Sequence, residues 1–339
     1  MLLRSAALFP WWIAQIFSGA KSFADNPLIG SQRLNALGLH AARVRAVHAL
    51  AAHRRRGLAD MISVEDREAF DRDGVVQIRN FLPEPLFQNL RTQLLSYKGA
   101  ARETVQGDTI TRRLAVDKAA LKAIPALRHF QKDARWRGLV RYVSSFDIEP
   151  LLYIQSIMPR RHNAPRDPQH QLHADTFHPS MKAWLFLEDV PRETGPFAYV
   201  HGSHRLTPER LAWEKSRSLT VKQGDCRLSA RGSLRVQADE LASLNLPEPT
   251  VYAVPANTLI VADTFGFHAR SEATTAATRI ELWAYGRRNP FRLPVGWDLW
   301  SLPGLRELRI PLRWWLIDQL HPHVPRQWHP VGLKGAADP

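Results

Sequence analysis

Four side chains could do chemistry together if the fold collected them: His173, Asp175, His268 and Arg279. His173 and Asp175 sit two positions apart in QLHADTFHPSMKAWLFLEDV, residues 171–190, a segment that otherwise reads as buried β-structure. In a strand, residues i and i+2 point to one face, so the imidazole and the carboxylate aim side by side while Ala174 points away. An unpaired carboxylate in such a place is strongly disfavoured or neutralises itself. A bound divalent ion is one way to compensate it, but two ligands leave that ion underfilled. His268, in TLIVADTFGFHARSE, follows an apolar strand and a Thr-Phe-Gly turn and is the candidate third ligand.

Two imidazoles and one carboxylate form the facial triad of non-haem Fe(II) sites, which keeps positions open for a cosubstrate and O2. Arg279 stands eleven residues past His268 in TTAATRIELWAY. Alternation places it on one face with Glu281 and Trp283, in a strand expected beside the His268 strand. A guanidinium there can grip the far end of a dicarboxylate whose other end chelates the ion. A tight ion pair between Arg279 and Glu281 is not expected from neighbours two apart on one strand.

Taken singly, each residue has a plainer reading. His173 and Asp175 could be a buried hydrogen-bonded pair, and His268 a satisfied core histidine. His170, His178, His201 and His204 read as loop or shell residues, and Trp184 and Trp283 as core. Arg287 and Arg288 fit a phosphate contact or a solvated strand end. The ordered set is what favours a metal centre.

The elements that must position these residues are short strands. From about residue 108 to 289, apolar runs alternate with turn signals: LLYIQSIM, QLHADTF, KAWLFLEDV, FAYVHGS, TLIVADTF and RIELWAYG. Many strands without interleaved helices argue for a sandwich, jelly roll or barrel. Upstream, SVEDREAF has a helix start with Ser63 as N-cap. DRDGVVQIRNFL reads as a turn into a strand, and PEPLFQNLRTQLLSYKG as a helix with Gly99 at its end. To about residue 60 the chain looks helical and basic. Leu34, Leu37, Leu39, Val44, Val47 and Leu50 form an apolar face, Arg33, Arg43, Arg45 and Arg54-Arg55-Arg56 a cationic one, and Gly57 a stop.

Read together, HxD, then GPFAYVHGSHR, then a distal His with an Arg eleven residues on, closely resembles the phytanoyl-CoA dioxygenase family of Fe(II)/2-oxoglutarate oxygenases. The resemblance covers roughly residues 63–290, including the opening EDREAFDRDGVVQIRNFLPEPLFQNL. It implies a mainly β fold with flanking helices around a double-stranded β-helix (jelly-roll, cupin-like) core. It also implies Fe(II) held by His173, Asp175 and His268, with 2-oxoglutarate and O2 as cosubstrates and Arg279 on the 2-oxoglutarate carboxylate. Gln155 sits where members contact the cosubstrate. The chain departs from the family in two places. His201-Gly202-Ser203-His204 stands for the usual PGSH. Arg270 replaces a Ser two residues after the distal His, which leaves Ser271, one further on, as the candidate hydroxyl contact. Asp175 is retained, where halogenating relatives carry a small residue, so hydroxylation of an aliphatic C–H with release of succinate and CO2 is expected. A non-catalytic metal-binding scaffold at a membrane and a metal-dependent hydrolase are the competing functions.

Composition bounds the rest. The 339 residues suffice for one large core or two modest ones. Cys226 is the single cysteine, so an internal disulfide and Cys-based metal sites are excluded. With 46 Lys and Arg against 32 Asp and Glu, the net charge is +14, which suggests an anionic partner. No nucleic-acid-binding signature appears, and nucleic acid is not expected. The excess charge lies toward the ends, among apolar residues. Trp11-Trp12 and Trp314-Trp315 suit a headgroup layer, which points to an anionic membrane surface and a lipid-like, acyl or other small-molecule substrate. Ser18-Gly19-Ala20 could serve a signal peptidase. However, Pro10, Trp11, Trp12 and Gln15 interrupt the run before it and favour an interfacial anchor or a docked helix. The expected organisation is a basic helical extension (1–60), a dioxygenase domain (61–290) and a basic aromatic extension (291–339), cytoplasmic and peripheral at the inner face of a membrane.

Overall fold

The computed structural model describes residues 2–159, 164–224, 226–293, 298, 300, 302 and 304–338, with side chains from residue 8 onward. Part of the aromatic stretch PFRLPVGWDLW therefore lies outside the described residues. In chain order the elements begin with α1 (Leu2–Ile16), α2 (Gln32–Ala36), α3 (Leu39–Arg56), α4 (Val64–Asp73), β1 (Val75–Ile78) and α5 (Glu84–Ser96). There follow β2 (Lys98–Gln106), β3 (Thr109–Ala115), α6 (Lys118–Ala123), α7 (Pro125–Lys132), α8 (Ala134–Ser144), β4 (Leu151–Pro159), β5 (Met181–Phe186) and β6 (Phe197–Tyr199). The chain continues with α9 (Pro208–Thr220), α10 (Arg227–Ala230), α11 (Ala238–Ser243), β7 (Thr250–Val251), β8 (Leu259–Asp263), β9 (His268–Arg270), β10 (Arg279–Gly286), α12 (Leu305–Gln319) and β11 (His329–Gly335).

The strands form two sheets. The major sheet runs β1-β8-β5-β10-β4-β3-β2-β11, antiparallel throughout, and the minor one β7-β6-β9. This is the expected jelly roll with flanking helices. Its central strands are apolar on both faces because both faces are covered. Ala183, Leu185, Leu259, Val261, Ile280, Leu282 and Ala284 face a layer that includes Leu90, Leu127, Phe130, Trp136 and Leu139 from the helices. Their neighbours in sequence, Trp184, Phe186, Ile260, Ala262 and Trp283, turn to the other side, against Phe197 and Tyr199 of the minor sheet. Period-2 alternation thus divides each run between two cores.

Several local expectations change. Helices α6 to α11 interrupt the region read as strands alone. The helix expected to end at Gly99 stops at Ser96, and Gly99 belongs to β2. β9 does not neighbour β10. It lies in the opposite sheet, because a jelly roll sends successive strands to facing sheets.

The basic cluster of α3 is not a solvated face. Arg54 is buried, donates to the carbonyls of Ser145, Pro290 and Arg292, and packs over the Phe146 ring. Arg55 pairs at 2.9 Å with the fully buried Asp263. Arg56 alone of the three is exposed. Arg43 gathers the carbonyls of Ile16, Ser18 and Ala20, which fixes the segment after α1 against the core. That segment then threads past Gly232 (φ +83°), where a Cβ would stand 2.1 Å from the Lys21 carbonyl. At the other end of the chain, β11 adds an edge strand to β2. No helix among the described residues is long and apolar enough to cross a membrane.

Candidate metal centre

The metal ligands are positioned by main-chain bonds. His173 lies in an isolated bridge rather than a full strand, and its N–H and C=O exchange 3.0 Å bonds with the C=O and N–H of His268. This close pairing places the two rings side by side, centroids 4.4 Å apart. The Asp175 N–H donates to the Thr264 carbonyl, which carries the carboxylate to the same mouth. Nδ1 of His173 lies 2.8 Å from the Gln171 carbonyl and Nδ1 of His268 2.9 Å from that of Gly266. A carbonyl only accepts, so each Nδ1 carries the proton and each Nε2 presents a lone pair.

Both Nε2 atoms are buried without a hydrogen-bond partner among the described residues. They lie 3.8 and 3.7 Å from Asp175 Oδ1. One ligand atom from each of the three residues falls within 4.8 Å of the others. Orphaned buried acceptors are rare, and two of them converging with a carboxylate oxygen fit a divalent cation. Burial holds the His173 imidazole well below its ordinary pKa, with His268 adding to the effect, which keeps it neutral for coordination. Burial alone would raise the Asp175 carboxyl, but Lys182 and the two histidines overcome it and hold it well below its usual range. Lys182 Nζ stands 2.6 Å from Asp175 Oδ2, off the hydrogen-bonding direction, so the contact is an ion pair. Lys21 donates to the Asp175 carbonyl, and burial lowers its pKa to about 8.

A cavity of about 590 Å³ opens from this centre along the inner face of the major sheet. The strand register arranges its floor in rows. Arg113, Gln155 and Glu281 lie side by side across β3, β4 and β10, and the next row holds Tyr153, Trp283 and Trp184. Gln155 lines the cavity, donates to Glu281 at 2.6 Å and accepts from Arg113 Nε at 2.7 Å.

Arg279 reaches the same cavity, but not as an unpaired group. Its Nε donates to Glu281 at 2.9 Å and its Nη1 to the Gly195 carbonyl. The pairing with Glu281, not expected from the sequence, forms because the two side chains share a buried face and the long arginine spans the gap. Nη2 has no partner among the described residues. Ser271 is not brought to the cavity. His268 and Arg270 share a face by alternation, which turns Ser271 the other way. Arg270 lines the cavity in its stead and pairs with Asp167 at 2.6 Å. Of the remaining histidines, His170 lies against the Arg270 carbonyl, His201 against the Tyr252 hydroxyl, and His178 and His204 are buried apart from the ligand group.

Sequence reading missed Lys21, Lys182, Arg113 and Arg235 at this site. Lys182 carried a signal, as a charge on the face of β5 that also presents Trp184 and Phe186. The other three come from distant segments and carried none.

A sequence model of the phytanoyl-CoA dioxygenase family matches residues 70–240, half of the chain. The chain belongs to the phytanoyl-CoA dioxygenase family. Its cofactor is Fe(II), with 2-oxoglutarate and O2 as cosubstrates. Solved structures of similar fold include the epimerase SnoN in complex with Fe3+, alpha ketoglutarate and nogalamycin RO. That match is 18% identical, covers 70% of this chain and 92% of that one, and has a TM-score of 0.44. HygX from Streptomyces hygroscopicus with nickel, 2-oxoglutarate and hygromycin B is 17% identical over 66% and 87% of the two chains, TM-score 0.42. The carbocyclase SnoK from nogalamycin biosynthesis is 18% identical over 67% and 84%, TM-score 0.40. No curated protein matches the sequence.

Proposed function

We propose that this oxygenase is a hydroxylase of a small, partly apolar molecule. The observation that carries the reading is the convergence of two orphaned imidazole nitrogens and one carboxylate at the head of a cavity. When bound, iron with 2-oxoglutarate and O2 supplies an oxidant able to take hydrogen from an unreactive C–H bond, with succinate and CO2 released. His173, Asp175 and His268 would hold the metal. The intact carboxylate of Asp175 keeps the three-residue ligand set that supports hydroxylation over halogenation.

The chain's own residues do the rest. Nη2 of Arg279 offers two N–H groups to the distal carboxylate of 2-oxoglutarate, while Glu281 and Gly195 fix the guanidinium's orientation. Gln155 is held between Arg113 and Glu281 and sets the polar floor beside it. Trp184 and Phe197, ring centroids 4.5 Å apart, exclude water next to His268. Lys182 balances the charge of Asp175.

Contact with a membrane surface rests on a separate feature. Leu8, Phe9, Trp11, Ile13 and Phe17 in and just after α1, with Leu312, Trp315 and Leu316 on α12, are exposed. Arg54 and Arg55 take no part in it. In that reading the protein is cytoplasmic and peripheral, and the domain limits at 60 and 290 bound the catalytic region, with β11 returning from beyond 290 to extend its major sheet.

The decisive experiment incubates the iron-loaded protein with 2-oxoglutarate, 18O2 and a candidate substrate. Succinate formation matched by a product carrying one 18O atom supports a hydroxylase. Succinate matched by an epimerised or cyclised product with no added oxygen overturns it.

A further inference from the structure

The cavity carries more positive charge than the metal centre and the cosubstrate account for. Nine of its lining residues are Lys or Arg and two are Asp or Glu. Iron(II) and the 2-oxoglutarate dianion cancel each other. Lys182 pairs with Asp175, Arg279 with Glu281, Arg102 with Asp318 and Arg270 with Asp167. Lys21 is turned onto the Asp175 main-chain carbonyl and Arg235 onto the carbonyl and hydroxyl of Ser233. Arg113, Arg287 and Arg313, like them, have no carboxylate within ion-pair distance among the described residues.

Arg113 is held as a binding group is held. Its guanidinium is sandwiched between the Trp283 ring at 3.8 Å and the Trp328 ring at 4.2 Å, and its Nε is fixed on Gln155. Its two terminal nitrogens have no hydrogen-bond partner among the described residues. Arg313 and Arg287 are exposed at the rim of the same cavity, one from α12 and one just past β10. Tyr285 lines the same cavity. It stacks on Trp283 at 5.7 Å with the planes 7° apart, and Trp314 closes the wall beside Tyr153.

Three guanidinium groups from three separate segments line one cavity with no carboxylate to balance them, and a bound anion would offset that charge. Planar, bidentate donors in that number suit a phosphate dianion better than a single carboxylate. We propose that the cavity holds a substrate subsite for a phosphate ester, with Arg113, Arg287 and Arg313 around the phosphate and the Trp283–Tyr285 wall against a flat apolar body. The proposal rests on the hydroxylase reading above and names its substrate class.

The test uses full-length protein loaded anaerobically with Fe(II) and 2-oxoglutarate. Calorimetry measures the affinity of 1-naphthyl phosphate, 1-naphthoate and 1-naphthol, for wild type and for Arg287→Ala/Arg313→Ala. The phosphate is expected to bind at least about tenfold more tightly than the other two, as one or more charge-assisted contacts require. The double variant is expected to lose about tenfold toward the phosphate and little toward 1-naphthol. Because both positions are exposed and neither residue is a metal ligand, the visible iron–2-oxoglutarate absorption band should persist in the variant and certify its fold. Equal affinity for the three probes, a naphthoate affinity at or above that of the phosphate, or phosphate binding unchanged in the variant overturns the subsite. A missing band in wild type is instead a failure of the cofactor reading, and the calorimetric comparison still decides the subsite.

Discussion

His173 and His268 are held by the main chain, whereas Lys21, Arg113 and Arg313 reach the same cavity from segments far away in sequence. At the metal end, a mutual pair of backbone bonds and two ring-to-carbonyl bonds fix the imidazoles. At the cationic end, orientation comes from stacking and from single hydrogen bonds between side chains. The first arrangement is rigid and dictates chemistry. The second is adjustable, rests on segments that also cover the jelly roll, and is where members of one fold family can differ in substrate.

The contrast is open to attack at both ends. Asp175→Ala removes the charged ligand and leaves Lys182 unbalanced. Iron affinity measured by equilibrium dialysis should fall by more than the roughly 10- to 100-fold typical of an outer-shell change. A smaller loss would mean that the carboxylate is not a ligand.

The covering segments come next. Arg55→Met strands the buried Asp263 without its partner, and urea unfolding should show a loss of about 3–5 kcal/mol. A loss under ~1 kcal/mol would return α3 to the role of a loosely attached, solvated helix. Gly232→Ala drives a Cβ into the Lys21 carbonyl and strains a left-handed backbone. It should cost about 1–3 kcal/mol and expose the segment around Lys21 to limited proteolysis.

A further expected effect is on pH. Burial lowers His178 and His204 to about 3. The unfolded chain protonates both near pH 6.5, so it binds more protons than the fold between about 6.5 and 3, and stability falls as pH drops through that window. The slope reaches at most ~1.4 kcal/mol per pH unit for each histidine. Comparing urea midpoints at pH 7.5 and 5 for wild type and His204→Leu should show a shallower fall in the variant.

The metal end was legible in the sequence because its signals are local. A two-residue spacing survives into the structure as a shared face, even though His173 occupies a bridge and not a strand. Alternation likewise placed Arg279, Glu281 and Trp283 together, and Ser63 capped α4 as read. What failed needed the third dimension. The basic run Arg54-Arg55-Arg56 looks like a surface patch until Asp263 and the Ser145 carbonyl are brought against it. Sheet membership set β9 opposite β10, and register turned Ser271 away. No periodicity could have shown that Lys21 and Trp328, more than three hundred residues apart in sequence, line one cavity.

The central claim is that three ligands and Arg279 together make an iron and 2-oxoglutarate site, and one titration tests it most directly. Fe(II) and then 2-oxoglutarate are added anaerobically to wild type and to Arg279→Ala, and the visible metal-to-ligand charge-transfer band is followed. A band in wild type, with a 2-oxoglutarate midpoint raised about tenfold or more in the variant, is the predicted result for loss of a charge-assisted contact. No band in iron-loaded wild type, or identical midpoints in the two proteins, would contradict it.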